Sequence, residues 1–201
     1  MSGEKTAQAR QRPAKGMVEI RIHGRGGQGA KSAAQLIVEA AMEQDRQVQA
    51  FPEYGPERTG APMVTYARIS DRPITTYQPV ISPDIVMVID PTLIGQVDVA
   101  AGLGHEGVLI VNSAKGPEEM GKLARFPGRT CTIDATAISI KYLGKNIPNT
   151  PMLGALIRVS GVVDMGSVIK KVEEMFLKKI GREKTDANIN AIKEAHDGVK
   201  G

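Results

Sequence analysis

The sequence is poor in cysteine and in aromatic residues. Cys131 is the single cysteine among 201 residues, Trp is absent, and aromatic residues make up 3% of the chain. One cysteine excludes an internal disulfide framework and any metal or iron–sulfur site built from cysteines alone. If electrons pass near this protein, the cluster that carries them must therefore lie on another chain.

Long apolar segments are also missing. Purely apolar runs such as Ile85–Ile89 are far shorter than the roughly 20 residues that span a bilayer. The basic N-terminal stretch is not followed by the apolar region of a secretory signal. We therefore expect a cytoplasmic protein without a membrane partner.

The net charge of +4 raises the possibility of nucleic-acid binding, but the positions of the charges argue against it. The basic residues concentrate in the polar N-terminal leader and near the C-terminus. The C-terminal group alternates with Glu173, Glu174 and Glu183, which is typical of a solvated helix face. Few aromatic rings are available for base stacking. We predict no nucleic-acid partner.

The hydrophobic pattern predicts strands alternating with helices. The predicted strands are Val18–Ile22, Gln47–Phe51, Met63–Ile69, Ile85–Ile89, Val108–Val111 and Arg129–Ile133. The predicted helices are Ala30–Gln44, Pro117–Leu123, Ala135–Leu143, Met152–Ser160, Ser167–Lys179 and Glu183–His196. This order predicts an α/β fold, doubly wound, with a mainly parallel sheet covered by helices on both faces. Too few residues flank Met63–Ile69 for a crossover helix, so that strand is expected to form an antiparallel or hairpin excursion.

The chain is expected to hold one domain. Residues 1–16 are polar, basic and unpatterned, and we interpret them as a flexible tail. Residues 17–180 carry the alternating pattern of the domain. Residues 181–201 are rich in charge, and we expect a solvated C-terminal helix or tail.

A glycine-rich loop follows the first predicted strand. Gly24, Gly26 and Gly29 have the G-x-G-x-x-G spacing before a helix, where glycines let the backbone approach a pyrophosphate at the helix N-terminus. The second strand, however, lacks the acidic residue that binds the ribose of a dinucleotide, and Glu53 is expected in the following loop. Three interpretations stay open: a dinucleotide site, a site for another phosphate or anion, and tight strand–helix packing without a ligand.

Four other residues are of types that often serve in active sites, but their positions in the sequence favour structural roles. His23 lacks a carboxylate partner in the sequence, and Cys131 lies inside an apolar strand, where it is expected to be a small buried hydrophobe. Asp90 and Asp134 end strands where ligands gather in open sheets, but helix capping explains both. We predict no catalytic residue and no metal ligand in this chain.

Two long motifs carry a family resemblance. The segments His23–Ala30 and Phe51–Pro62 resemble the gamma subunit of 2-oxoacid:ferredoxin oxidoreductases, which is the central domain in single-chain pyruvate:ferredoxin oxidoreductases. The segments Ser82–Val86 and Asn149–Ala155 also look like the family pattern. The likeness covers roughly residues 17 to 179. It implies a subunit of an oxidoreductase that is itself not the catalytic centre.

The form of the two motifs resembles the pyruvate-type branch of the family. The 2-oxoglutarate-type branch tends to carry a bulky apolar residue in place of Arg25, and a different sequence in place of Glu57–Pro62. Pyruvate is thus the favoured substrate of the complex, followed by branched-chain 2-oxoacids and then 2-oxoglutarate. A free-standing nucleotide-binding module and a stand-alone NAD(P) oxidoreductase are the alternatives from other classes.

The resemblance implies cofactors and partners that this chain does not supply. The family decarboxylates a 2-oxoacid on thiamine diphosphate with Mg²⁺ and passes electrons through [4Fe–4S] clusters to ferredoxin, and the acyl group leaves on coenzyme A. Some members run in reverse as pyruvate synthases. The sequence has no thiamine signature, so these cofactors are expected on alpha, beta and delta subunits, and the isolated chain is expected to be inactive.

Two roles are possible for the motifs within such a complex. Arg25 and Arg58 carry guanidinium groups that match phosphate oxygens, and the amides of Gly26, Gly27, Gln28 and Gly29 precede a helix. These residues are candidates for contact with the phosphates of coenzyme A. In the other interpretation Glu57 pairs with Arg58 or Arg25, and the loops form a subunit interface.

Overall fold

A computed structural model describes residues 16–53 and 60–201. The described residues form six strands, which are β1 (Met17–Arg25), β2 (Gln47–Glu53), β3 (Pro62–Ser70), β4 (Ile85–Val88), β5 (Val108–Asn112) and β6 (Arg129–Ile133). They also form five α-helices, which are α1 (Ala30–Met42), α2 (Pro117–Leu123), α3 (Ala135–Leu143), α4 (Asn149–Ser160) and α5 (Met165–Asp197). A 3₁₀ helix covers Pro91–Leu93.

The strands form one twisted sheet in the order β2-β3-β1-β4-β5-β6. Strands β1, β4, β5 and β6 are parallel neighbours, whereas β3 runs antiparallel to both β1 and β2. The predicted α/β class, the mainly parallel sheet and the antiparallel excursion are confirmed. Strand β4 lies inside the sheet and all four of its residues are buried, as its continuous apolar sequence predicts.

Helices cover the two faces of the sheet unequally. The larger apolar cluster joins one face to α1, α3, α4 and α5. A smaller cluster on the other face packs β4 and β5 against α2 and the coil around Leu93–Leu103. Helices therefore lie on both faces. On the second face, however, α2 shares the cover of β4 and β5 with coil.

The prediction of a solvated C-terminal segment is wrong. Ile189, Ile192 and Ala195 of α5 are buried in the larger cluster. Their spacing of three places them on one face of the helix, and the charged residues around them hide this narrow stripe in the sequence. Gly154 of α4 permits the contact, because a Cβ there would lie 2.0 Å from the carbonyl oxygen of Ile192. One face of the helix from Thr185 to Ala195 thus belongs to the core of the domain, while its other face is exposed.

Helix α5 consists of two helical segments separated at Gly181, which has φ 80° and ψ 170°. This break matches the two separate helices expected over Ser167–Lys179 and Glu183–His196. Residues beyond the helix pair with the sheet edge, where Lys200 exchanges two backbone hydrogen bonds of 2.9 Å with Thr132 of β6. The expected tail over residues 1–16 lies outside the described residues except for Gly16. No helix of the described ranges is long and apolar enough to cross a membrane.

Candidate functional site

The glycine loop lies where the direction of chain winding changes across the sheet. It connects the carboxyl end of β1 to α1, and β1 lies between β3 on one side and β4 on the other. Open α/β sheets bind ligands at such a switch point, beside the carboxyl ends of the strands. The motif chosen from sequence therefore occupies the position at which this fold class forms sites.

The loop closes as a turn that its own side chains stabilise. The amide of Gln28 donates to the carbonyl of Arg25 at 3.0 Å, and the amide of Arg25 donates to Oε1 of Gln28 at 2.8 Å. Gly27 and Gly29 have φ values of 93° and 79°, which glycine adopts without steric cost. A Cβ on Gly29 would also lie 2.5 Å from Nδ2 of Asn149, the first residue of α4. The glycines thus fit a tight turn packed against α4.

The two sequence motifs meet in the structure. The amide of Gly26 donates to the carbonyl of Ala61 at 3.0 Å, and the amide of Gly60 donates to the carbonyl of Gly26 at 3.1 Å. These bonds extend the β1–β3 ladder beyond its last paired residues. Arg58 and Glu57 lie outside the described residues. The end of their segment is nevertheless fixed to the glycine loop.

The guanidinium group of Arg25 donates hydrogen bonds to several groups of this chain. Its Nε donates to Oδ2 of Asp90 at 3.1 Å, its Nη1 to the carbonyl of Gly60 at 3.2 Å, and its Nη2 to Oγ1 of Thr92 at 2.9 Å and Oε1 of Gln96 at 3.0 Å. Every guanidinium nitrogen therefore has a partner in this chain. Arg25 connects the glycine loop to Asp90 and Thr92 at the start of the 3₁₀ helix, to Gln96 and to Gly60.

Asp90 is the acceptor at the centre of this arrangement. Its Oδ2 accepts from Arg25 and from Nε2 of Gln28 at 2.7 Å, and its Oδ1 accepts from the amide and hydroxyl of Thr92 at 2.9 and 2.7 Å. Burial acts to raise the pKa of Asp90, but the hydrogen bonds from Thr92 and Gln28 and the charge of Arg25 outweigh it, so the pKa is lowered. The carboxylate is therefore ionised at neutral pH.

The sequence prediction of Asp90 as a helix cap is confirmed but incomplete. It does cap the 3₁₀ helix through the amide of Thr92, as Asp134 caps α3 through the amide of Ala137. Its bonds to Arg25 and Gln28 join residues more than sixty positions apart. The sequence contains one indication of these contacts. Asp90 follows a buried strand and the glycine loop follows β1, and both lie at the edge of the sheet where ligands bind in this fold class.

The N-terminus of α1 carries no side-chain cap among the described residues. Gly29 is its N-cap, and its first turn contains no acidic residue. The positive end of the helix dipole and the first-turn amides thus face the loop without a compensating carboxylate in that turn. This arrangement suits an anion better than a cation.

His23 is buried rather than poised as a base. Its side chain is 6% exposed, and its Nε2 has no hydrogen-bond partner within the described residues. Burial, followed by the neighbouring charge of Arg21, lowers the pKa of His23 from 6.5 to about 4. The imidazole is therefore neutral at physiological pH and inaccessible to substrate, which favours the structural role.

The described residues do not form a recognisable metal site or dinucleotide site. They contain no group of three or more His, Cys, Asp or Glu side chains that could hold a metal ion. Cys131 is buried, and burial raises the pKa of its thiol. Strand β3 separates β1 from β2, so the parallel β1–β2 pair of a dinucleotide fold is missing. Glu53, expected in a loop, is the last residue of β2 and accepts a hydrogen bond from the Tyr66 hydroxyl.

Comparisons with known proteins agree with the motif resemblance. The family model described as pyruvate ferredoxin/flavodoxin oxidoreductase matches residues 19–198. Pyruvate synthase subunit PorC of Thermotoga maritima is 49% identical over 187 residues, with 93% of this chain and 97% of that protein covered. The common gamma subunit of the pyruvate/ketoisovalerate oxidoreductases of Thermococcus kodakarensis is 44% identical, with 89% of this chain and 95% of that protein covered.

A solved structure extends the similarity to three dimensions. The crystal structure of the pyruvate oxidoreductase subunit PORC of Thermotoga maritima matches with a TM-score of 0.84 and 46% identity, covering 92% of this chain and 98% of that one. The family resemblance inferred from the two motifs is thereby confirmed. The family model, the near-complete alignments and the shared fold establish that this chain belongs to the pyruvate ferredoxin/flavodoxin oxidoreductase family.

Proposed function

We propose that this chain is the gamma subunit of a 2-oxoacid:ferredoxin oxidoreductase whose principal substrate is pyruvate, and that it works within the complex as a non-catalytic subunit. The observation that carries this proposal is the near-complete alignment with a subunit named for pyruvate synthase. The complex would convert the 2-oxoacid oxidatively to carbon dioxide and acyl-CoA and pass the electrons to ferredoxin, or run in the reverse direction.

Selection of the 2-oxoacid is assigned to the other subunits. The Thermococcus relative is named as common to a pyruvate and a ketoisovalerate enzyme. A subunit shared between two such enzymes does not itself distinguish their substrates. A branched-chain 2-oxoacid enzyme therefore stays the second candidate for the complex that contains this chain.

The redox and thiamine chemistry is assigned to partner subunits of alpha, beta and delta type. One buried cysteine is a poor donor set for a [4Fe–4S] cluster, which takes several cysteine ligands. Thiamine diphosphate and Mg²⁺ are proposed on those partners as well. The cytoplasmic location and the lack of a nucleic-acid partner stay predictions.

The glycine loop is proposed as the part of this chain that meets the phosphates of coenzyme A. The amides of Gly26 and Gln28 already donate within the chain, which leaves the amides of Gly27 and Gly29 as the loop donors, with the N-terminus of α1 behind them. Arg58 is the proposed guanidinium partner. Arg25, whose nitrogens all have partners, is proposed to hold the loop and not the phosphate.

Omission of the subunit tests the general proposal. The enzyme is reconstituted from its subunits with and without this chain, and pyruvate-dependent ferredoxin reduction is measured with saturating coenzyme A. We expect turnover only in the complete mixture and none from the chain alone. Full turnover without this chain, or turnover by the chain alone, would contradict the proposal.

Substitution of Arg58 tests the coenzyme A contact. A charge-assisted hydrogen bond contributes about 1.5–3 kcal/mol, so Arg58→Ala should raise the apparent KM for coenzyme A roughly 10- to 100-fold. The KM for pyruvate should not change. An intact complex with an unaltered KM for coenzyme A would contradict the contact, whereas dissociation of the subunits with loss of both half-reactions would favour the interface interpretation.

A further inference from the structure

Strand β2 is an edge strand whose outer side has no partner among the described residues. The sheet order places β3 on one side of β2 and no strand on the other. β2 extends over seven residues, from Gln47 to Glu53, and pairs with β3 along its whole length. An unpaired edge is a template on which another chain can add a strand. The outer side of β2 is therefore a candidate interaction surface.

The hydrogen bonds of β1 determine which backbone groups lie on the outer side of β2. The amide of Ile89 donates to the carbonyl of His23 at 2.8 Å, so the odd-numbered residues of β1 face β4 and the even-numbered residues face β3. The registers of β1 with β3 and of β3 with β2 then direct the odd-numbered residues of β2 toward β3. Val48, Ala50 and Pro52 therefore present their backbone groups outward.

These outward groups are free to pair with a further strand. Within residues 16–53 and 60–201, no other segment forms a hydrogen bond with the backbone of Val48, Ala50 or Pro52. Pro52 has no amide hydrogen, and its outward position is the one in which a strand loses no ladder bond by containing proline. Ala50 is exposed, and Val48 and Pro52 are half-buried. Two amides and three carbonyls are thus available along this edge.

The opposite edge of the sheet provides a comparison within the same molecule. There Lys200 pairs antiparallel with Thr132 of β6 through two backbone hydrogen bonds of 2.9 Å. The chain therefore covers part of the β6 edge itself, whereas the longer β2 edge has no such cover in the described residues. β2 also contains none of the lysines that commonly block pairing at an edge, and its only charged residue is Glu53.

We propose that a second copy of this chain pairs with the β2 edge, antiparallel and about a two-fold axis at Ala50, so that the two sheets form one continuous sheet. In this register the two Ala50 residues exchange both of their backbone hydrogen bonds. The amide of Val48 in each copy donates to the carbonyl of Pro52 in the other, which needs no amide from Pro52. The inference concerns this chain alone and does not rest on the proposed function.

The length and charge of β2 favour pairing with itself in this register. Ala50 is the midpoint of the strand, so an axis there pairs the strand along its whole length. Glu53 then lies opposite Gln47 of the other copy, whose neutral amide can donate to the carboxylate. An axis at Gln49 would instead place Glu53 opposite Asp45 of the other copy, and like charges at opposed positions are destabilising.

The small size of the contact determines its expected strength. An edge of seven residues buries less surface than the roughly 1,200–2,000 Å² of a standard stable interface. We therefore expect reversible dimers of the isolated chain, with a Kd of about 10–100 µM.

Amide hydrogen exchange of the isolated full chain measures this pairing directly. Between a protein concentration of about 1 µM and one of about 500 µM, exchange at Val48 and Ala50 should slow about four- to ten-fold, as the dimer forms. The amides of Gln49 and Phe51 lie in the ladder with β3 and are internal controls that should not change. Exchange at Val48 and Ala50 that is independent of concentration would overturn the proposal.

Two substitutions at the axis provide a matched pair for sedimentation velocity. Ala50→Pro removes the outward amide hydrogen without removing a bond of the β2–β3 ladder, and proline is accepted at such edge positions. It should be monomeric at about 500 µM, where the wild-type chain is mostly dimeric. Ala50→Val keeps the amide hydrogen and should dimerise like the wild-type chain. Dimerisation of Ala50→Pro with the wild-type affinity would contradict the pairing.

A cysteine at the axis tests the register and does not require Ala50→Pro to fold. Residues of a hydrogen-bonded antiparallel pair have Cα atoms about 5.5 Å apart, which is within the range of disulfides. With oxidised glutathione, Ala50→Cys should form covalent dimers, because the native Cys131 is buried. Ala114→Cys, at an exposed position after β5, is the control and should form few. Equal yields of covalent dimer in the two variants would overturn the axis at Ala50.

The remaining outcome concerns a different occupant of the edge. Protection of Val48 and Ala50 that arises only when another subunit of the oxidoreductase is added would assign the β2 edge to that subunit and overturn pairing with a second copy. Failure of the reconstituted enzyme to turn over pyruvate would contradict the proposed function and leave the dimer measurements of the isolated chain unaffected.

Discussion

The two faces of strands β1 and β3 differ sharply in chemistry. One face carries Val18, Ile20, Ile22, Ala67 and Ile69, all buried in the larger apolar cluster. The other carries Glu19, Arg21, His23, Tyr66 and Arg68. Successive side chains of a strand point to opposite faces. The same two strands therefore present an apolar face covered by helices and a polar face.

Irregular backbone covers the polar face where helices are missing. Arg68 donates to the carbonyl of Gln78 at 2.6 Å, and Arg21 donates to the carbonyls of Val99 and Ala101. Backbone carbonyls outside helices and strands need donors when they are buried. On this face, therefore, the buried guanidinium groups of Arg68 and Arg21 bind the irregular backbone to the sheet.

The largest expected effect comes from removing the buried charge on the polar face. Arg68 is 2% exposed, pairs with Glu19 at 2.8 Å and lies 5.5 Å from the ring centroid of Phe51. Arg68→Met should lower the free energy of unfolding by about 4 kcal/mol, because it leaves Glu19 without its partner. Chemical denaturation measures the change.

A conservative variant sharpens that prediction. Arg68→Lys keeps the charge but cannot reach Glu19, Gln49 and the Gln78 carbonyl together, as the guanidinium does. We expect it to lie between wild type and Arg68→Met. Equal stability of Arg68→Met and wild type would show that the polar face does not depend on this donor.

Acid should weaken the polar face through His23. The folded-state pKa of about 4 lies below the ordinary value of 6.5, so the unfolded chain binds the proton more tightly. The stabilisation is complete above pH 6.5 and is lost as the pH falls through 4, by about 3 kcal/mol in total. Denaturation at several pH values should show a shallower decline in His23→Gln.

The exposed His105 provides the control for that measurement. His105→Gln should retain the steep wild-type decline between pH 6.5 and 4. If His23→Gln and wild type lose stability in parallel across this window, burial of a neutral imidazole at position 23 is not the cause of the acid sensitivity.

On the apolar face, the test is the close approach of the α4 and α5 backbones and not a buried charge. In Gly154→Ala the new Cβ would lie 2.0 Å from the carbonyl oxygen of Ile192, so α4 and α5 must separate. We expect a loss of about 2 kcal/mol in the free energy of unfolding. Gly104→Ala is the matched control, because nothing lies within 4 Å of its added Cβ, and equal losses in the two variants would contradict the close packing.

Local patterns in the sequence predict most of the fold. Alternation along Val18–Ile22 identifies β1, the apolar run at Ile85–Ile89 identifies a buried strand, and helical spacing identifies α1. The burial of the C-terminal half of α5 was missed because its apolar stripe at Ile189, Ile192 and Ala195 is narrow within a charged segment. A partner such as α4, which receives that stripe, is not visible in local composition.

The sequence predicts only part of the candidate site, because local patterns do not indicate contacts between distant residues. The G-x-G-x-x-G spacing identifies the glycine loop in the sequence, whereas its backbone pairing with Gly60 and Ala61 is seen only in the structure. The pairing of Arg25 with Asp90 joins the end of β1 to the start of the 3₁₀ helix, 65 residues along the chain, and no local pattern in the sequence indicates it. The sequence therefore leaves Arg25 as a candidate for a phosphate contact or for pairing with Glu57, whereas in the structure its guanidinium nitrogens donate to Asp90, Gly60, Thr92 and Gln96.

Hydrogen exchange of the chain alone and within the assembled enzyme tests the central claim most directly, namely that the glycine loop and the residues paired with it, Gly60 and Ala61, form the functional surface. We predict that assembly with coenzyme A slows exchange at residues 24–29 and at Gly60 and Ala61. The apolar-face helices α4 and α5, already protected by the core, should change little. Protection confined to α4 and α5, with the glycine loop exchanging as in the free chain, would contradict the account.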